Sequence, residues 1–310
     1  MKSEIRFDGR VAVVTGAGRS LGRAHAMLLA ARGAKVVVND FGGKPDGTGG
    51  DTSVAQAVVA EIVARGGEAV ANTGDISNQS DAKAMVAAAI DNYGRIDIVI
   101  NNAGIMTVND FASLPLEAFQ RELEVHIIGA FNVTQQAWPH FVEQKYGRVV
   151  MTISTGVFGT AETVDYSTAK AGVIGLTRSL AVAGKAHGIM VNALSPSAFS
   201  RLFGDPGLSR FATPSADAGP AKAEGRGEPE TVVPIATFLA HESCPVTGEM
   251  FSSSGTNVGR IILSATPGHT QHDMTPEAIR DNWDTIYSVK DMAFPASTLE
   301  ALDLRRKWSL

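Results

Sequence analysis

Cysteine is almost absent from this 310-residue chain. Cys244 stands alone, which excludes an intrachain disulfide and any cysteine-based metal cluster and fits a reducing compartment. Long apolar runs are missing too. No stretch of about 18 apolar residues could cross a bilayer, and the opening MKSEIRFDGR has no apolar core of a signal peptide, so a cytoplasmic protein is expected. Positive charge is in deficit, 27 Lys and Arg against 32 Asp and Glu, and no basic run interrupts the net −5. Neither a nucleic acid nor an anionic membrane is therefore an expected partner. Low-complexity tracts are also lacking, and 44% apolar with 19% charged residues is the composition of a well-packed globule. His269 and His272 in GHTQHD are spaced for a metal but lie in a polar tail, so exposure is expected and no metal.

What is present is a rhythm of short β-branched runs and longer helical stretches. VAVVT (11–15), KVVVN (35–39), EAVAN (68–72), IDIVI (96–100), RVVMTI (148–153) and IMVNAL (189–194) read as strands, with MFSSS (250–254) as a weaker seventh. They are nearly continuous in apolar residues, as strands of a parallel sheet buried on both faces must be. Helical segments such as RSLGRAHAMLLAARG and DAKAMVAAAIDNYG lie between them and close on glycine. The fold class expected is α/β: one domain, residues 1–255, built as a doubly wound, parallel, seven-stranded sheet, followed by an extension over 256–310. Segment 196–228, rich in Gly, Ala and Pro, follows the sixth strand at the carboxyl edge and reads as a lid. Phe199, Leu202 and Phe203 within it are candidate substrate contacts, with packing on the core as the alternative. In the extension, TPEAIRDNWDTI predicts a short helix capped by Thr275, with Pro276 at its first position and Ile279, Trp283 and Ile286 on one face.

The first strand runs directly into TGAGRSLG. Gly16, Gly18 and Gly22 between strand and helix allow backbone to approach a pyrophosphate seated on the helix N-terminus. Asp40 closes the second strand, where a carboxylate accepts from adenosine ribose hydroxyls. Arg19 in the same loop could pair with a 2′-phosphate, but Asp40 would repel it. Like charges ~4 Å apart at a partly buried site cost several kcal/mol, which favours NAD. DYSTAK places Tyr166 and Lys170 one helical turn apart, a spacing that an exposed surface pair would also satisfy.

TGAGRSLG, GDIS, NNAG, MTIST and YSTAK come in an order and spacing that resemble the short-chain dehydrogenase/reductase family. The resemblance implies a Rossmann fold, a nicotinamide cofactor and catalysis by Ser154, Tyr166 and Lys170. Tyr166 would be the general acid/base, and Lys170 would lower its pKa and hold a ribose hydroxyl. It also implies that Ser20, Leu21, Asp75, Ile76, Asn102, Ala103, Gly104 and Pro196 line the cofactor with Arg19 and the glycines. Three departures stand out. Ser20 occupies the place of the usual second glycine. The serine lies 12 residues before Tyr166 rather than 13, which selects Ser154 with Thr155 as alternative. His126 replaces an asparagine that supports a proton-relay water; it could hold that water through one ring nitrogen or be a core histidine.

VVVNDFGG, QKYGRVVMT, HESC, FSSSGTNVGRI and the extension are similar to the (3R)-hydroxyacyl-CoA dehydrogenase unit of peroxisomal multifunctional β-oxidation enzymes. This implies oxidation of 3-hydroxyacyl-CoA or 17β-hydroxysteroids with NAD, and a dimer or tetramer formed through the Tyr166 helix and a long helix over 116–143. Another secondary alcohol, such as a terpenoid, and a non-enzymatic nucleotide sensor are the competing readings. An intact Ser154, Tyr166 and Lys170 set speaks against the sensor.

Overall fold

The computed structural model describes residues 4–198 and 227–308. Among the described residues eight strands form one sheet: β1 (Val11–Val14), β2 (Lys35–Asn39), β3 (Glu68–Asn72), β4 (Ile98–Asn101), β5 (Gly147–Thr152), β6 (Ile189–Pro196), β7 (Met250–Ser253) and β8 (Val258–Ile261). Their order is β3-β2-β1-β4-β5-β6-β7-β8, and every pairing from β3 through β7 is parallel. β1, β2 and β4 are almost wholly buried, in keeping with their unbroken apolar runs. The strand order reverses between β1 and β4, and a crevice opens beyond the carboxyl ends of the strands at such a point.

The seven-stranded expectation is corrected to eight. VGRI contains glycine and alternates between exposed and half-buried positions, so it lacks the continuous apolar signature of its neighbours. Only residues 254–257 separate it from β7, a link short enough for an antiparallel neighbour and far too short for a parallel crossover.

Among the described residues the helices on the sheet include α1 (Ser20–Ala31), α2 (Ser53–Ala64), α3 (Gln79–Tyr93), α4 (Leu116–Leu123), α5 (Ala130–Gln144) and α6 (Val164–Gly184), and a short helix over Pro234–Leu239 adds Ala236 and Leu239 to the core. The long helix expected over 116–143 is continuous, but a π-helical turn, Glu124–Gly129, joins its α4 and α5 parts. Sequence periodicity does not register one widened turn, and such turns gather at functional sites; this one carries His126.

The chain divides into two compact units with the boundary between Arg260 and Ile261. Within the second unit, Thr275 caps a helix over Pro276–Asp281, its Oγ1 accepting from the Ala278 N–H at 3.1 Å. A further turn, Trp283–Ile286, follows, and Trp283 stacks on Tyr287. His272 is exposed there as expected, whereas His269 is half-buried.

Candidate active site

A cavity of about 360 Å³ opens over the carboxyl ends of the central strands, and every residue expected to line a cofactor lines it except Gly18. Gly18 sits behind Asp40. Its N–H donates to Asp40 Oδ2 at 2.8 Å, while the Gly42 N–H donates to Oδ1 at 2.7 Å. A Cβ at Gly18 would lie 2.3 Å from Val54 Cγ1 and 2.8 Å from that carboxylate oxygen, so only glycine admits Asp40 here. The carboxylate is thereby aimed along the groove edge. Arg19 also lines the groove, and its charge adds to the Ser53 hydrogen bonds that hold the Asp51 carboxyl below its usual range. Lys44, in the glycine-rich loop, is a second cation on the groove that spacing did not reveal.

Ser20 has φ +46°, the left-handed backbone that a glycine would adopt freely and that costs an L-residue about 1–2 kcal/mol. Asn102 ties the loop to β4. Its Nδ2 donates to Thr15 O at 2.9 Å and Gly16 O at 3.1 Å, while the Asn102 and Ala103 N–H groups donate to Thr15 Oγ1. Asp75 lines the groove with both carboxylate oxygens engaged. Oδ1 accepts from the Ser77 N–H and hydroxyl, and Oδ2 accepts from Arg121 at 3.1 Å. Asn132 holds the carbonyl of Ile76 at 3.1 Å, which places that residue on the groove wall. These glycines, the Asp40 carboxylate and the positive end of α1 fit a dinucleotide's pyrophosphate and ribose.

At the other end of the groove β5 delivers Ser154, the residue just before a 3₁₀ turn over Thr155–Phe158, and α6 delivers Tyr166 and Lys170. Ser154 Oγ accepts from the Gly156 N–H at 3.1 Å and also bonds Tyr166, so Ser154 rather than Thr155 meets the phenol. Lys170 is buried, donates to the Thr152 carbonyl at 2.8 Å and lies 5.6 Å from the centre of the Tyr166 ring. The expected direction of the phenol pKa is not what the free chain has. Burial pushes Tyr166 up to about 12, with Glu122 adding to the rise and Ser154 opposing it. Burial likewise pushes Lys170 down to about 7. A lysine that loses its proton so readily is a weak counter-charge, so desolvation prevails over the spacing argument.

His126 packs edge-on against Tyr166, ring centres 5.3 Å apart. A Cβ on Gly104 would come 2.5 Å from its Cε1, so the glycine of NNAG gives the ring its place. Its Nε2 lies 2.9 Å from the Ile105 carbonyl and 3.0 Å from Glu122 Oε2. Glu122 and Asp165 are both fully buried beside this cluster. Sequence reading missed them because burial alone distinguishes them from the exposed acids of other helices. Pro196, Ser197 and Ala198 close the described wall, whereas Phe199, Leu202 and Phe203 lie outside the described residues, as does most of the expected lid.

The profile described as short chain dehydrogenase matches residues 10–201 of this chain. The chain belongs to the short-chain dehydrogenase family. The dehydrogenase is 39% identical over 306 residues to mouse peroxisomal multifunctional enzyme type 2, covering 97% of this chain but 40% of that protein's length. A crystal structure of a short-chain dehydrogenase from Mycobacterium avium superimposes with TM-score 0.74 at 32% identity, covering 90% of this chain and 95% of the other. A 7α-hydroxysteroid dehydrogenase complexed with NADH and 7-oxo glycochenodeoxycholic acid gives TM-score 0.69 at 27% identity, covering 81% of this chain and 94% of the other. No helix among the described residues of the dehydrogenase is long and apolar enough to cross a membrane.

Proposed function

We propose that this dehydrogenase interconverts a secondary alcohol and a ketone with NAD, the substrate being a 3-hydroxyacyl-CoA or a hydroxysteroid. The observation that carries the reading is one groove with Asp40 at its ribose edge and Ser154, Tyr166 and Lys170 at its far end. Asp40 favours an unphosphorylated ribose, and its charge, fixed by the Gly18 and Gly42 N–H groups, opposes the competing cation Arg19 on the same groove. When bound, the cofactor supplies the hydride acceptor or donor and, in its oxidised form, a positive charge. Ser154 and Tyr166 hold the substrate oxygen. Tyr166 takes the hydroxyl proton during oxidation and returns it during reduction, and Lys170 passes that proton on. The name of the 7α-hydroxysteroid dehydrogenase supports the steroid class, and the acyl-CoA class rests on the sequence resemblance. For location we keep the cytoplasm, on the sequence reading, although the mouse relative is named peroxisomal.

The test is a panel of long-chain 3-hydroxyacyl-CoA, 17β-hydroxysteroids and small cyclic alcohols, each with NAD and NADP. Turnover of the first or second class with NAD is expected. Turnover of cyclic alcohols alone would redirect the substrate, and dinucleotide binding without any turnover would favour the sensor.

Assembly is part of the same reading. Ile128 of the π-helical turn, Phe131 at the start of α5 and Val182 of α6 are 46%, 41% and 54% exposed, apolar surface that a dimer or tetramer would cover. Light scattering at micromolar concentration should report a multiple of 32.5 kDa, and a 32.5 kDa particle would exclude assembly.

A further inference from the structure

Glu122 takes no part in the chemistry above, yet it is fully buried beside it in the last turn of α4. Its Oε1 accepts from the Thr107 N–H at 3.0 Å. Its Oε2 has no hydrogen bond and lies 3.0 Å from His126 Nε2. That nitrogen is also 2.9 Å from the Ile105 carbonyl, which can only accept, and 3.4 Å from the Ile105 N–H, which can only donate; the shorter contact favours the hydrogen on Nε2 and the lone pair on Nδ1. Nδ1 is buried and without a partner. The ring borders a second, small cavity of about 10 Å³, close to the room one water needs, shared with Lys170, Asn101, Thr15 and Thr152. Asn101 Oδ1, likewise buried, also has no partner. Lys170 and Nδ1 are thus two ends of a polar gap, and Glu122 stands behind the ring.

We propose that Glu122 is a proton store that works through His126 in the alcohol–ketone reaction. During oxidation the proton that Tyr166 takes from the alcohol moves through Lys170 and one water to His126 Nδ1, while the Nε2 hydrogen passes to Glu122 Oε2. One N–H bond forms, another breaks and one O–H bond forms; the ring is neutral before and after, and the carboxylate becomes a carboxylic acid. Reduction runs the same steps backwards. His126 also lines the large groove, so after product leaves, the proton returns through the ring to solvent.

The charges around the pair suit this use. Burial first, then Asp165 of α6, push Glu122 up to about 8, while the Thr107 N–H and Lys170 of α6 oppose them. A carboxyl with that affinity both takes and releases a proton near neutrality. Burial and the Lys170 charge keep His126 well below the usual imidazole range, so the ring transmits a proton without keeping it.

The proposal rests on the alcohol–ketone reading, and its test separates the two. In protein carrying ¹⁵N-histidine and no cofactor, the His126 ring should change from the Nδ1–H to the Nε2–H tautomer as pH rises through about 8, where Glu122 releases its proton. Glu122→Gln keeps the side-chain shape and should abolish that pH response. The same variant should lower kcat for oxidation about tenfold, below the range of a direct general base, with KM unchanged and the part of the rise in kcat centred near pH 8 lost while the phenol's rise at higher pH stays. Glu122→Asp should restore part of the rise, and in a His126→Asn background Glu122→Gln should cost nothing further. A wild-type tautomer that ignores pH, or a Gln variant with the parent kcat and pH profile, overturns the store. A wild type that switches tautomer but oxidises no secondary alcohol overturns only the reading it serves.

Discussion

Tyr166→Phe should lower kcat by about 10²–10⁴-fold, the range that a positioned proton donor supplies, while dinucleotide affinity stays close to that of the parent. The variant removes one oxygen. Lys170 keeps its bond to the Thr152 carbonyl, Ser154 keeps the Gly156 N–H, and the ring still meets His126 edge-on. The groove therefore survives and only the proton path is cut. Steady-state rates give the first quantity, and quenching of protein fluorescence by the dinucleotide gives the second. Activity above about one per cent of the parent would remove Tyr166 from its role, because losing general acid/base help alone costs that much. The pH profile adds an independent check. With the free phenol held up at about 12 by burial, oxidation by the parent should accelerate as pH rises. The Phe variant, with no phenol to ionise, should lose that dependence.

Asp40→Ala should move cofactor preference towards NADP. Two unit charges ~4 Å apart repel by about 4 kcal/mol at an effective dielectric of ~20, and solvent at the groove edge reduces this. A change of roughly 10²-fold in the ratio of kcat/KM for the two cofactors, about 2.7 kcal/mol, is the expected size. The alanine also strips the acceptor from the Gly18 and Gly42 N–H groups, which would loosen the loop for either cofactor. Asp40→Asn separates the two effects, since its amide oxygen can still accept while the charge is gone. Both variants should gain NADP use, and the asparagine should keep more total activity. A parent enzyme that already prefers NADP would mean that Arg19 and Lys44 together outweigh Asp40.

Which parts of this were readable along the chain follows from how each part is built. Contiguous motifs are legible because their work is done by neighbouring backbone. TGAGRSLG, with Asp40 at the end of the next strand, announces a pyrophosphate and ribose site, and continuous apolar runs announce buried parallel strands. Tyr166 and Lys170 share a helix face by spacing alone. β8 escaped notice because an edge hairpin has no apolar run, and the π turn because one widened turn leaves the periodicity on either side intact.

The electrostatics of the site had to wait for the tertiary structure. Spacing says that a lysine stands near a tyrosine, but the direction of each pKa depends on how much water the fold removes. Burial sends the phenol up and the ammonium down. The same holds for Glu122 and His126, one turn apart in a stretch, RELEVH, that reads as an ordinary polar helix. Only when α4, the loop after β4 and the start of α6 close around them do Thr107, Ile105, Asp165 and Lys170 become their neighbours. Local sequence specified the groove and its cofactor-facing backbone; three-dimensional closure decided which acids lost their water, and desolvation is a property of the assembled packing that no single segment carries.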